Sequence, residues 1–153
     1  MVTMRGKMGD VPRMLHELIE LDLDAIEAYK AAIARLEDAL VKGQLELFMA
    51  DHERHVIDLS GLLRGMGQEP PTAADFKRIL TMGKVVIGGL IGDRGILSAM
   101  RSNEQDTNQA YEQAVARDDL PPRVRTVLEQ GLADERRHRA WIESQLGGSR
   151  DVA

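Results

Sequence analysis

The hexapeptide ADHERH at residues 50–55 returns as ADERRH at residues 133–138. Each copy ends in histidine and carries another metal-ligating side chain three residues earlier, His52 before His55 and Glu135 before His138. Residues three apart share one face of a helix, so each copy can aim two ligands at one point. Upstream, Asp22 stands seven residues before Tyr29, and Glu104 stands seven residues before Tyr111. The segments AYKAAIAR (28–35) and AYEQAVAR (110–117) also align. This is the pattern of one helical hairpin used twice, and two such hairpins packed about a pseudo-dyad set equivalent positions face to face. The expected fold is an all-α, antiparallel four-helix bundle with a metal site at its centre.

Hydrophobic periodicity predicts the four helices. Over residues 11–41 the buried stripe reads Leu15, Leu18, Asp22, Ile26, Tyr29, Ile33, Leu36 and Leu40, with Pro12 near the start and Gly43 as the stop. Over 44–66 it reads Leu45, Phe48, His52, His55, Leu59, Leu62 and Met66, ended by Gly67 and the prolines at 70 and 71. The third helix, 93–118, carries Leu97, Met100, Glu104, Thr107, Tyr111 and Val115. The fourth, 121–146, starts at Pro121-Pro122 and carries Val124, Leu128, Gly131, Glu135, His138, Ile142 and Leu146. Residues 67–92 are too many for a tight turn and are expected to form a long crossover, while 147–153 are expected to fray. The glycine-rich GKVVIGGLIGD lacks the lysine-serine/threonine ending of a phosphate loop.

Bulk properties narrow the function. A chain of 153 residues reads as one domain, residues 1–153, able to bury a core without staples. It has no cysteine, which removes disulfides, thiolate metal sites, iron–sulfur clusters and cysteine nucleophiles, and fits a cytoplasmic protein. A net charge of −5 without a basic cluster argues against nucleic acid as a partner. The apolar run from Val85 to Ile91 falls short of the ~20 residues that span a bilayer, so no membrane partner is expected.

Six polar residues occupy core positions of the stripes: Asp22, His52, His55, Glu104, Glu135 and His138. An isolated histidine on an apolar face usually serves as a satisfied core residue, and a lone i,i+3 Glu/His pair is common by chance. These six recur in register, in equivalent pairs, on four helices. A buried charge without a partner costs several kcal/mol, on the order of a domain's whole stability. The facing stripes hold no lysine or arginine, so one or two divalent metals are the expected partner of three acids and three imidazoles. Tyr29 and Tyr111 are expected to donate their hydroxyls to ligand carboxylates on facing helices.

The sequence resembles the ferritin-like superfamily in this pattern: an acid on helix one, x-x-His on helix two, an acid on helix three and Glu-x-x-His on helix four. The acid-to-Tyr spacing is similar to that of the bacterioferritin and rubrerythrin branches. GDRGILSAMRSNEQDTNQAYEQA, LPP and ERRHRAWIESQL look closest to small bacterial ferritin-like proteins. The resemblance implies iron as cofactor, with Asp22 and Glu104 as terminal carboxylates, Glu135 bridging, and His55 and His138 giving one imidazole to each metal. It implies dioxygen or peroxide as reactant, ferroxidase- or peroxidase-type oxidoreductase chemistry, and a homodimer as the default assembly. The departure is His52, where the family pattern has a bridging glutamate; one metal or two can then bind, and nitrogen-rich ligation also admits zinc or manganese. Asp51 and Glu53 lie one step out of register to replace that bridge. The rival reading is a non-catalytic structural or interaction bundle with a degenerate or single-metal site. A hydrolase on Glu135 and His138 has no serine or cysteine arrangement to support it.

Overall fold

The computed structural model describes residues 2–74 and 92–152. Among them are four long helices: α1 (Val2–Arg35), α2 (Ala39–Gly65), α3 (Gly92–Val115) and α4 (Pro122–Val152). The three residues between α1 and α2 and the six between α3 and α4 are short enough to make each pair an antiparallel hairpin. The hairpins join through α1 against α3 and α2 against α4. Asp22 meets Tyr111 while Tyr29 meets Glu104, so α1 and α3 are antiparallel. It follows that α2 and α3 run in the same direction, and the chain between them has to return along the bundle. The crossover expected over 67–92 falls largely outside the described residues. The fold is an all-α four-helix bundle, and no helix among the described residues is long and apolar enough to cross a membrane.

Three boundaries differ from the periodic reading. The first hairpin turns at residues 36–38, not at Gly43, which lies inside α2. Asp38 caps α2, its carboxylate accepting from the amides of Leu40 (2.9 Å) and Val41 (3.2 Å). Asp93, at the start of α3, accepts from the amides of Glu37 and Asp38, both at 2.9 Å, and ties the turn to the other hairpin. A shift of the turn moves Leu40 out of the expected stripe, and it is 86% exposed. At the outer ends, Pro12 lies inside α1 and α4 continues to Val152, past the expected end at residue 146.

The apolar core divides in two. One part gathers Leu15, Ile19, Leu59, Leu63 and Leu128. The other gathers Ala32, Leu45, Phe48, Met100 and Ile142. Each fully buried large aliphatic side chain contributes about 1.5–3 kcal/mol, so the two plugs hold the helices while the layer between them carries polar groups.

Candidate metal centre

Stripe register brings all six expected polar residues into that middle layer. Asp22, His52, Glu104, Glu135 and His138 are fully buried and His55 nearly so. They form two overlapping groups whose ligand atoms lie within 4.8 Å of one another: Asp22, His52, His55 and Glu135, and His52, Glu104, Glu135 and His138. Glu135 and His52 are common to both groups. Position 52 therefore faces the shared middle of the site, where an imidazole stands opposite Glu135.

Asp22 is a hub. Its Oδ1 accepts from His52 Nδ1 at 2.8 Å and from His55 Nδ1 at 3.2 Å, and its Oδ2 accepts from the Tyr111 hydroxyl at 2.6 Å. Glu104 Oε2 accepts from the Tyr29 hydroxyl at 2.5 Å and from His52 Nε2 at 3.3 Å. The two tyrosines thus reach between hairpins, each to a carboxylate on the facing helix. Glu135 is different: neither of its oxygens makes a hydrogen bond, although Oε2 lies at ion-pair distance from His55 Nδ1 (3.3 Å) and His52 Nδ1 (3.5 Å); His138 Nδ1 likewise makes none and has Glu104 Oε2 at 3.5 Å. Buried polar atoms without partners are rare, because each forgoes its hydration for nothing. A cation held between Glu135 and His138 would satisfy all three atoms, so the donor set fits a metal.

Two functional residues lie outside the stripe reading. Asp51 accepts from His138 Nε2 at 2.8 Å, and Asp134 accepts from His55 Nε2 at 2.9 Å. These acids open the two hexapeptides at the same place, and each crosses to the histidine that ends the other. Asp51 does not substitute for the absent bridging acid; it grips an imidazole from its outer side. With Nε2 so occupied, Nδ1 of His55 and of His138 points inward. Arg54 pairs with Asp51 and Asp134, and Arg137 pairs with the same two acids at 3.1 and 2.7 Å. The only sequence signal for this network was the shared Ala-Asp at the head of each hexapeptide.

Electrostatics follows from who is paired. Burial alone would raise the pKa of Asp22 and Glu104, but for Asp22 the neighbouring His52 and His55 outweigh it, and for Glu104 His138 and His52 do, leaving both below the ordinary carboxylate value. In Glu135 burial, reinforced by Glu104 and Asp22, prevails over His52 and His55, and its pKa is raised. Burial opposes charge on the imidazoles. In His52 it is overcome chiefly by Glu135, Asp22 and Glu104, and the pKa rises well above the usual value. In His55 it is overcome by Asp22, Glu135 and Asp134, and the pKa reaches about 10. Without metal, cationic His52 and His55 therefore compensate the acids. Burial and the adjacent carboxylates push both tyrosine hydroxyls up, so they remain protonated donors.

A pH dependence follows with a definite sign. A pKa raised from 6.5 to about 10 in His55 gives stability that is fully present below pH 6.5 and is lost as pH rises through about 10. Thermal melts of metal-free protein across that window should fall on the alkaline side, and a His55→Gln variant should flatten the decline. An unchanged slope in the variant would refute the assignment.

Comparison with known proteins bears on fold and family. A family described as "Domain of unknown function (DUF2383)" matches residues 10–117. A solved structure titled as ferritin-like, diiron-carboxylate proteins from Bacillus anthracis str. Ames superposes with a TM-score of 0.73 at 20% identity, covering 90% of this chain and 96% of that one. The search of curated proteins gave no match.

Proposed function

We propose, for a chain that belongs to the DUF2383 family and folds as a ferritin-like bundle, that its central acids and histidines hold iron for oxidation by dioxygen or peroxide. The observation that carries this is a set of buried atoms without hydrogen bonds, Glu135 Oε1 and Oε2 with His138 Nδ1, among four other ligating side chains. Asp22 with His55, and Glu104 with His138, are the paired terminal ligands. Glu135 spans the two groups, and His52 adds nitrogen to one of them. Bound ferrous iron would supply one electron per ion to the oxidant. The chain's part is to present anionic oxygens, keep Tyr29 and Tyr111 protonated against Glu104 and Asp22, and exclude bulk water from the layer. The diiron-carboxylate description of the Bacillus anthracis structure supports the reading.

Loading has a proton cost. The Nδ1 atoms of His52 and His55 that face Asp22 must lose their protons before they can ligate. Iron affinity should therefore rise with pH, opposite in sign to the stability of the metal-free protein. The decisive test is elemental analysis of protein from iron-supplemented cells, followed by anaerobic ferrous titration and oxygen-electrode measurement. Iron uptake followed by oxygen or peroxide consumption supports the proposal. Protein that takes up no iron, and whose melting is unaffected by chelator, overturns it.

A second reading is favoured by one observation: protonated His52 and His55 already form a paired network with Asp22, Glu104 and Asp134. Such a centre could be a purely structural polar layer. His52→Glu separates the two readings. In a metal site it restores an anionic oxygen donor opposite Glu135, and iron should bind roughly tenfold tighter, the equivalent of ~1.4 kcal/mol. In a structural layer the variant only replaces a cation with a fourth buried acid, and the protein should melt earlier without gaining iron.

A further inference from the structure

The two halves of the centre are not equally enclosed. Phe48 lies over the His138 ring, with centroids 4.3 Å apart, and Trp141 meets Phe48 edge-on at 5.7 Å. Phe48 precedes His55 by seven residues, and the residue seven before His138 is Gly131. Where one hairpin supplies Phe48 as a cover for the opposite histidine, the other supplies a glycine, and the ring of Tyr111 packs against that glycine with its centroid 5.6 Å from that of His55. Gly131 also cannot readily be enlarged, since an added Cβ would stand 2.5 Å from Tyr111 Cε2. Beside it is a cleft lined by Arg54, His55, Asp58, Tyr111, Gln130 and Gly131, with free space for about one water molecule. Exposure agrees: His55 is 4% accessible and His138 is 0%.

We propose that this cleft is a port by which a neutral molecule scarcely larger than water, of the dioxygen or hydrogen peroxide class, reaches the His55 half of the centre, the narrow free space excluding anything bigger, while Phe48 and Trp141 close the His138 half. The charges at its mouth favour a neutral visitor. Arg54 is paired to Asp51 and Asp134, and Asp58 offsets what positive field remains. Gln130, exposed on α4, offers hydrogen bonds to a polar guest such as peroxide. The port rests on side-chain geometry alone; only its use for oxidant delivery depends on the metal-binding reading.

Two variants and two readouts test it. Gln130→Trp places a bulky ring at the mouth without entering the core, and Phe48→Ala removes the opposite cover. The first readout needs no metal: exchange of the histidine C2 hydrogen in deuterium oxide, followed by mass spectrometry, with half-buried surface His16 as reference. Each histidine is compared with itself between variants, which removes differences in ring basicity. Gln130→Trp should slow His55 severalfold and leave His138 unchanged, and Phe48→Ala should accelerate His138. An unchanged His55 rate in Gln130→Trp overturns the port, and an unchanged His138 rate in Phe48→Ala overturns the closure. The second readout is the rate at which nitric oxide, a neutral diatomic, binds anaerobically to ferrous-loaded protein. It should fall in Gln130→Trp at equal iron content, and an equal rate counts against the port. Iron that fails to load while the exchange effects hold overturns the metal reading and leaves the port standing.

Discussion

Asp22→Ala is expected to lower the unfolding free energy of the metal-free protein by about 3–5 kcal/mol, the largest single-residue effect at the centre. The size follows from what the carboxylate holds. It accepts from His52, His55 and Tyr111, which come from α2 and α3, so its loss leaves the Tyr111 hydroxyl without its acceptor and the two inner Nδ1 atoms with only Glu135, at 3.5 and 3.3 Å, in a dry layer. Those groups cannot turn to water, because all three are buried. Asp22→Asn should fall between wild type and Ala, since one amide oxygen can still accept while the anion is gone. Chemical denaturation at neutral pH measures both. An Asp22→Ala protein as stable as wild type would show that the hub carries no load.

Glu135→Gln should behave in the opposite way, although the two acids share a site. Metal-free stability is expected to stay within about 1 kcal/mol of wild type or to rise, because burial and the repulsion of Glu104 and Asp22 together outweigh the attraction of His52 and His55 for a carboxylate that makes no hydrogen bond. Iron affinity, by contrast, should fall by about 100-fold or more, since the residue common to both ligand groups loses its charge. Calorimetric iron titration beside a metal-free melt reads both quantities from one preparation. Retained iron affinity would remove Glu135 from the ligand set. A melt several kcal/mol weaker would mean that its value is structural. A group that is costly alone and needed with a cation is the thermodynamic mark of a binding site.

Much of this was legible because helical periodicity is a rigid ruler. Once Leu15, Leu18, Leu59, Leu97 and Leu128 are set inward, Asp22, His52, Glu104 and Glu135 have no other direction to point. The ruler fails one step off the stripe. Asp51 sits about 100° round the helix from His52 and reads as outward, yet at the seam between α2 and α4 that direction meets His138. Periodicity within one helix cannot show what stands beside it. The first turn failed for a related reason. Gly43 is the stronger local punctuation, but Asp38 caps α2 and Asp93 reaches the same turn from 55 and 56 residues away in sequence. The cleft beside His55 is also illegible in sequence, since Gly131 reads only as a core position and no periodicity shows that Phe48 covers the opposite histidine.

The crossed acids have a bearing on how the protein matures. His55 is gripped on its outer nitrogen by Asp134 and His138 by Asp51, so each hairpin completes the hold on the other's imidazole. A newly made first hairpin carries Asp22, His52 and His55 but lacks the outer acid on His55 and the shared ligand Glu135. It is therefore a poor chelator until the second hairpin docks. Under the proposed function, cation capture would then be a late event that reports a completed tertiary structure, and free-energy linkage would make the ion a seal on the finished bundle. A nascent or half-unfolded chain would hold little metal, and a chain that holds it would have passed its own folding check.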